Sequence, residues 1–523
     1  MLAIGCINLT SLMLARTLRR RREMAVRLAL GASPRHVAGL LALESALLVA
    51  GGAALSIVVT QLLDRLVLAQ GASMFGNFDM NLAFDARVWV FFGATVAAVM
   101  CALAGGAAWQ ARRLCRSDRI AENSRSAPSS HGRVQKILIA AQIALTLALA
   151  AGGDLLGSSL RWLYNLDLGV NTSHVWDAML ASRPEGYSNF APGPYYRELV
   201  RQVETIPGIR SVVLADFVPF LNSMYQQPVT GIDSAAPERE VQARIGKVTD
   251  GFFSMMGMRI EEGKDFRREA PTGAEPEAIV NEALARHLGG ARTLIGRHIR
   301  VGTSPEYQRM KVVAVVSNAQ LDLSDPLQGP PMTVYIDSWQ HPSAQAGYPV
   351  LLLKTTDGSL PAEMLRRVVD REGREYVERA RSLDAEKDGA LVENRVMAYL
   401  AGAFATLALA LAATGLFGLL SYQAASRTSE IGIRMALGAR PGQIQWMMVR
   451  QISGLMGAGL AAGVALALIE GRAITGLLFG VHPSDPVLLA LPVITLAVTA
   501  LAAAWVPARR SALLDPVAAL RHE

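Results

Sequence analysis

The residues best placed to do chemistry in this 523-residue chain are two pairs of opposite charges at one spacing. Glu23 is followed four residues later by Arg27, and Glu430 is followed four residues later by Arg434. On a helix, a carboxylate one turn ahead of a guanidinium puts both charges on one face in the favourable order. Each pair lies in a longer match, RRREMAVRLALGASP at 20–34 against RTSEIGIRMALGARP at 427–441. The match aligns Leu30 with Leu437, Gly31 with Gly438, Ala32 with Ala439 and Pro34 with Pro441. The glycine can take the left-handed conformation that ends a helix. The proline three residues later stands where a new helix begins. Each segment is therefore predicted to be a short helix and an elbow. Its chemistry is docking through charge and exposed apolar side chains, not bond making.

Covalent and redox chemistry find no support in the sequence. No G-x-x-x-x-G-K-[ST] phosphate loop occurs, so the backbone cradle and lysine of a nucleotide hydrolase are missing. No G-x-S-x-G nucleophile elbow occurs either. The eight histidines are scattered outside any H-E-x-x-H or Cys/His cluster. Cys6, Cys101 and Cys115 lie in or beside apolar runs, which leaves the polar middle of the chain without a disulfide framework. No catalytic residue, metal or cofactor is expected, and ATP hydrolysis would have to come from another chain.

The elements that must position the elbows are membrane helices. Hydrophobic residues make up 51% of the chain and charged residues 18%, with a mean hydropathy of +0.28, too apolar for an ordinary soluble enzyme. The net charge of +7 comes from arginines beside apolar runs, not from an aromatic-interleaved patch, so nucleic acid is not expected as a partner. Six runs are long enough to cross a bilayer, at 38–67, 88–110, 137–158, 394–420, 450–470 and 488–508. A seventh, 1–15, reads as the tail of a longer helix because its arginines follow the apolar stretch, the reverse of a signal peptide. Arginine-rich segments at 16–37 and 111–136, together with Arg427, Arg434, Arg440, Arg450, Arg509, Arg510 and Arg521, fall on the cytoplasmic side. The polar stretch 159–393 then faces outward. Its β-branched runs at 210–214, 311–316 and 350–355 and its amphipathic stretches at 194–203 and 361–370 predict an α+β domain.

The internal match extends past the elbows. Ala107-Ala108-Trp109 followed by Ala111-Arg112-Arg113 corresponds to Ala503-Ala504-Trp505 followed by Ala508-Arg509-Arg510. A repeat of this kind marks a duplicated structural unit. One elbow alone would read as a basic helix lying on the membrane surface. Two at equivalent places on the cytoplasmic side point to a docking element. Glu44, Gln142 and Asp154 are the polar residues inside the spans, with Glu44 read as reaching the cytoplasmic interface. Trp446, Met447 and Met448 read as interface anchors, and Phe252, Phe253, Met255 and Met256 as core of the outer domain.

The elbow signature EIGIRMALGA (430–439) and the closing DPVAALR (515–521) resemble the FtsX-like permease domain of MacB-type ABC transporters and of the duplicated orphan permeases of acidobacteria. The stretches DGFFSMMGMRIEEGKDF (250–266), VNEALARHL (280–288), 295–297 and 312–316 resemble the MacB periplasmic core domain. The resemblance implies an α-helical membrane protein, with about six full transmembrane helices plus a partial one, carrying one α+β extracytoplasmic MacB-like core domain. It divides the chain into a truncated first FtsX-like unit (1–117), a basic cytoplasmic linker (118–136), a transmembrane helix (137–158), the extracytoplasmic domain (159–393) and a second FtsX-like unit (394–523). It further implies two outer lobes, with 175–215 and 348–385 anchored to the membrane and 216–347 inserted between them. The first repeat is expected to be N-terminally truncated, and Asp118-Arg119-Ile120 departs from the Asp515-Pro516-Val517 of the second.

By the same resemblance the chain is a permease subunit of the bacterial inner membrane, coupling ATP hydrolysis by a cytoplasmic ABC ATPase to export or mechanical work. Its ATPase-coupling residues are Glu430, Arg434, Leu437, Gly438, Ala439 and Pro441, with Glu23, Arg27, Leu30, Gly31 and Pro34 in the first copy. Membrane lipid is a second partner. An exported substrate, an envelope protein and a second copy of the chain stay open as others. The alternative is a non-transporting scaffold or signalling protein that regulates an envelope partner through its outer domain.

Overall fold

Runs of leucine, alanine and valine with few helix breakers give the membrane portion its long helices. The computed structural model describes residues 1–19, 33–75, 85–117, 130–183, 192–221, 224–232, 240–268, 274–290, 294–304, 307–323, 329–340, 349–426, 434, 437 and 440–512. The chain divides into two units, Met1–Arg161 with Asn394–Glu523, and Trp162–Glu393.

The first unit comprises α1 (Leu2–Arg19), α2 (Pro34–Phe75), α3 (Ala86–Ser117), most of α4 (Ser130–Tyr164), α10 (Val392–Ser426), α11 (Pro441–Ala473) and α12 (Pro486–Ala512). Among the described residues, five stretches are long and apolar enough to span a membrane: Ala42–Leu62, Lys136–Tyr164, Val392–Gly418, Ser453–Ala473 and Pro486–Ala503. The sixth expected span falls in α3, whose apolar stretch Ala86–Cys101 is shorter. These stretches make the protein a multi-pass membrane protein, and its second unit is an α+β domain.

The span in α4 is 61% buried and that in α2 only 6%, so α4 is the central post and α2 faces outward. Ile139, Ile143 and Leu147 of α4 pack with Ala412 and Leu416 of α10, Met456 of α11, and Leu496 and Ala500 of α12. Gly459 and Gly463 let α11 close on α4. A Cβ at either would come within 2.9 Å of Ile143 or Leu147, the small-xxx-small device of membrane helix pairs.

The second unit carries β1 (Val175–Ser182), α5 (Pro192–Glu204), β2 (Ile209–Ala215), β3 (Tyr225–Gly231), β4 (Val241–Val248), α6 (Phe252–Met256), β5 (Ile260–Gly263), β6 (Glu277–Asn281), α7 (Glu282–His287), β7 (His298–Val301), β8 (Met310–Val316), β9 (Thr333–Asp337), β10 (Val350–Thr355), α8 (Ala362–Glu372), β11 (Glu375–Ser382) and α9 (Leu383–Ala390). Its strands hydrogen-bond in the order β11-β1-β10-β2-β4-β3-β7-β8-β6-β9, with β5 on β8 and β4 also paired in parallel with β9. Two lobes follow from that order. The strands β11-β1-β10-β2 are antiparallel neighbours joined through α5 and α8, the split βαβ arrangement. The strands β4-β3-β7-β8-β6-β9 close on themselves as a six-stranded ring.

The apolar runs of β2 and β10 do not alternate because both faces of their sheet are covered. Val212, Leu214, Leu351 and Leu353 pack under α5 and α8, while Val213, Ala215, Val350 and Leu352 pack against α6 and the ring. Phe252, Phe253, Met255 and Met256 are at most 2% exposed, and Phe253 meets Phe252 and Tyr335 edge-on, so the four are core. Asn281 explains the VNEALARHL stretch. Its Oδ1 accepts the amides of Leu284 (3.1 Å) and Thr333 (2.9 Å), capping α7 and tying it to β9. Gly263 has φ +94°, and a Cβ there would meet the Val313 carbonyl at 2.2 Å.

Candidate coupling site

Both elbows end where the paired prolines stand. Pro34 is the first residue of α2 and Pro441 the first of α11. Proline is suited to that position because the amide it lacks has no helical partner there. The residue before each proline makes the cap. Ser33 Oγ accepts the amide of His36 at 3.3 Å. In the second copy the Arg440 amide donates to Gln443 Oε1 at 3.0 Å, while the Gln443 amide donates to the Arg440 carbonyl at 2.9 Å. One sequence position thus starts a long helix in both repeats through different side-chain chemistry.

Of the expected coupling residues, Arg434, Leu437 and Pro441 are described in the second copy and Pro34 in the first. Glu430, Gly438, Ala439, Glu23, Arg27, Leu30 and Gly31 lie outside the described residues. Arg434 is helical and exposed, and its guanidinium contacts Met447 Sδ. Leu437 is 82% exposed and Trp446 66% exposed. Two large apolar side chains, Leu437 just before α11 and Trp446 in its second turn, are thus exposed at this end of the helix.

The membrane unit holds two polar features, one around Gln142, which the sequence singles out, and one at Glu470, which it does not. Asn8 Nδ2 and Gln142 Nε2 both donate to the Leu411 carbonyl at 3.1 Å, and Thr414 Oγ1 donates to it as well at 3.0 Å. Gly415 makes room for this knot, since a Cβ there would lie 2.6 Å from Asn8 Oδ1. The knot joins α1 of the first repeat to the connecting helix α4 and to α10, the first helix of the second repeat. Glu470, near the outer end of α11, is the other. Asn8 escaped notice because its run is short, and Glu470 because it sits at the edge of its run beside Arg472.

In the outer domain, β1 and the β11–α9 corner share a buried ionic network. Asp177 is 0% exposed and Glu386 3% exposed. Arg379 lies between them, 3.5 Å from Asp177 and 3.2 Å from Glu386, with Arg381 4.0 Å from Glu386. Burial, with Glu386 adding to it, pushes the Asp177 carboxyl up to about 7 despite Arg379. Burial also pushes Asp337 up to about 7, against the Trp339 amide that holds its Oδ1 at 2.9 Å. The signal in the sequence was the alternation Arg379-x-Arg381, a strand period with charge on one face. Thr172, in the segment between α4 and β1, donates to Asp384 of α9 at 2.5 Å. The two chain passages that lead from the outer domain to α4 and α10 are thereby fastened to each other.

Comparison with known proteins agrees with this architecture. The FtsX-like permease C-terminal family matches residues 1–118 and 402–516, and the MacB-like periplasmic core domain matches 145–371. The pyoverdine export ATP-binding/permease protein PvdT of Pseudomonas aeruginosa is 26% identical over 54% of this chain and 43% of its own length. The ABC transporter permease YknZ of Bacillus subtilis is 22% identical over 66% of this chain and 83% of its own. The macrolide export ATP-binding/permease protein MacB of Chromobacterium violaceum is 25% identical over 60% and 50%. The chain therefore spans about half the length of the two export proteins. With one family on each side of the insertion and the other across it, the chain belongs to the MacB-like ABC permeases, built from FtsX-like membrane units and a MacB-like periplasmic core domain.

Proposed function

We propose that the chain is the permease subunit of an ABC-type transporter, driven by ATP hydrolysis on a separate cytoplasmic subunit that docks on the two elbows. The observation that carries this reading is the pair of matched elbows, each leading through its proline into a long helix of its own repeat. A partner pressing on Arg434, Leu437 and Trp446 would move the start of α11, which packs along α4. From there α4 and α10 run by covalent connection into the outer domain, so motion is passed outward without a pore. The names of the relatives support a divided machine. The two export proteins are called ATP-binding/permease, and YknZ is called a permease alone. On this reading 1–117 and 394–523 are the two membrane units, 118–136 a cytoplasmic linker, 137–158 the connecting span and 159–393 the outer domain.

The test is copurification of the tagged chain with its ATPase from membranes. Glu430→Lys or Arg434→Glu should each weaken the complex about tenfold or more, since a charge facing a partner surface is reversed. The equivalent changes at Glu23 and Arg27 should add to that loss. Undiminished capture and ATPase stimulation in both second-copy variants would sink the assignment.

A further inference from the structure

The last turn of α4, Trp162–Tyr164, belongs to the outer unit, yet the chain between it and β1 does not run straight into the four-stranded lobe. Residues 165–173 first cross the inserted lobe that carries the ring and α6. The Gln320 amide donates to the Leu168 carbonyl at 2.8 Å, and the Asn171 amide donates to the Met256 carbonyl at 2.7 Å. Leu168 is buried, and Val170 packs against the core around Phe252 and Phe253. Gly169 has φ +67° and lies so close to the Asn318 carbonyl that a Cβ would collide with it. Glycine is required there on both counts.

What this segment grips is itself held firmly. Asn318 follows β8, and its Oδ1 accepts the Ala283 amide at 2.9 Å and Asn281 Nδ2 at 3.0 Å, where β6 passes into α7. Two residues on from Gln320 and Asn318, the Leu321 carbonyl accepts the Phe220 amide at 2.7 Å. A displacement of residues 165–173 therefore reaches β6 and α7 through consecutive hydrogen bonds and packed backbone, the contiguous kind of network that carries coupling.

The sheet, by contrast, joins the two lobes at a narrow seam. Among the described residues β2 and β4 pair at one position, Ala215 with Val248. The Asp216 amide to the Lys247 carbonyl (3.2 Å) and the Thr249 amide to the Leu214 carbonyl (3.0 Å) flank it. Both paired residues end or nearly end their strands, and element-terminal residues of this kind are the ones that absorb hinge motion.

We propose that residues 165–173 are a strap through which α4 sets the angle of the ring lobe against the four-stranded lobe, with the β2–β4 seam as the hinge. Displacing α4 then turns the ring lobe directly, rather than through β1 alone. The functional meaning rests on the reading of the chain as an ATP-driven permease, in which the strap carries the drive on the membrane helices to the inserted lobe. The linkage itself is a property of the outer domain and is measured without ATP or a partner, so its test and that of the elbows fail separately.

The experiment uses the full chain in phosphatidylcholine nanodiscs, with Cys6, Cys101 and Cys115 replaced by serine and pairs of nitroxide labels read by pulsed electron paramagnetic resonance. Labels at Arg286→Cys and Arg366→Cys, both exposed, report the angle between the lobes. Labels at Tyr164→Cys and Arg366→Cys report the path from α4 to the four-stranded lobe. Gly169→Val, which pushes the strap off Asn318, should broaden the Arg286–Arg366 distance distribution about twofold, as for a hinge that loses one of its two attachments. The Tyr164–Arg366 distribution should keep its width, which also reports that the variant has folded. Thr172→Val, which cuts the bond to Asp384 and leaves the grip on Asn318 in place, should change neither. An unchanged Arg286–Arg366 width in Gly169→Val, broadening of both pairs together, or equal broadening by Thr172→Val would each overturn the proposal.

Discussion

Replacing Arg379 by alanine lowers the unfolding free energy of the outer domain by about 3 to 5 kcal/mol at pH 8, the range for removing one partner of a buried ion pair. The effect is large because Arg379 serves two carboxylates at once. Asp177 and Glu386 are both almost fully buried, and among the described residues no other side chain donates a hydrogen bond to Asp177. Without the guanidinium, two like charges face each other with only Arg381 at the edge. Urea unfolding of residues 162–393, followed by the fluorescence of Trp162, Trp176 and Trp339, measures it. Asp177→Asn in the same background should recover a large part of the loss, because it removes one of the two uncompensated charges. A loss below about 1 kcal/mol would equate the network with an exposed surface pair.

The same domain should become less stable as pH rises from 5 to 7. In the folded state Asp177 and Asp337 keep their protons up to about 7, whereas in the unfolded chain they release them near 3.8. Between those values the native state binds more protons than the unfolded one, so stability falls with rising pH and levels off above 7. Each such group contributes a slope of about 1.4 kcal/mol per pH unit at most. Glu198 and Asp357 act in the opposite sense, held below their usual range by Arg201 and Ser359 respectively. Their stabilisation is lost only as pH falls through the lower carboxylate range, outside this window. Asp177→Asn should therefore raise stability at pH 8 by about 2 kcal/mol and flatten the decline between 5 and 7. An identical pH profile in wild type and Asp177→Asn would show that Asp177 is ionised throughout.

Much of this architecture was legible in the residues because it rests on local signals. The apolar runs gave the membrane helices, and the proline after each elbow gave the starts of α2 and α11. The β-branched runs at 210–214 and 350–355 marked β2 and β10, though not that both of their faces are covered. What stayed hidden depends on contacts between distant residues. Closing the six-stranded ring requires β4 to pair with β9, and nothing in VQARIGKV or TVYID announces that partner. Asp177 meets Arg379 only after β1 and β11 have paired. Gly459 and Gly463 read as ordinary small residues until Ile143 and Leu147 are seen against them. The coupling residues are the reverse case. Their repetition makes them conspicuous in the sequence, and of the second elbow the described residues Arg434 and Leu437 are exposed.

The central claim is that the second elbow meets an ATP-hydrolysing subunit, and it is tested most directly by placing a photo-crosslinking amino acid at Leu437 in the full chain in native membranes. The control position is Tyr225, 65% exposed on the outer domain. The account predicts a crosslink from Leu437 to an ABC ATPase that is lost with Arg434→Glu, and none from Tyr225. Absence of an ATPase crosslink at Leu437, with the protein correctly inserted, would contradict it.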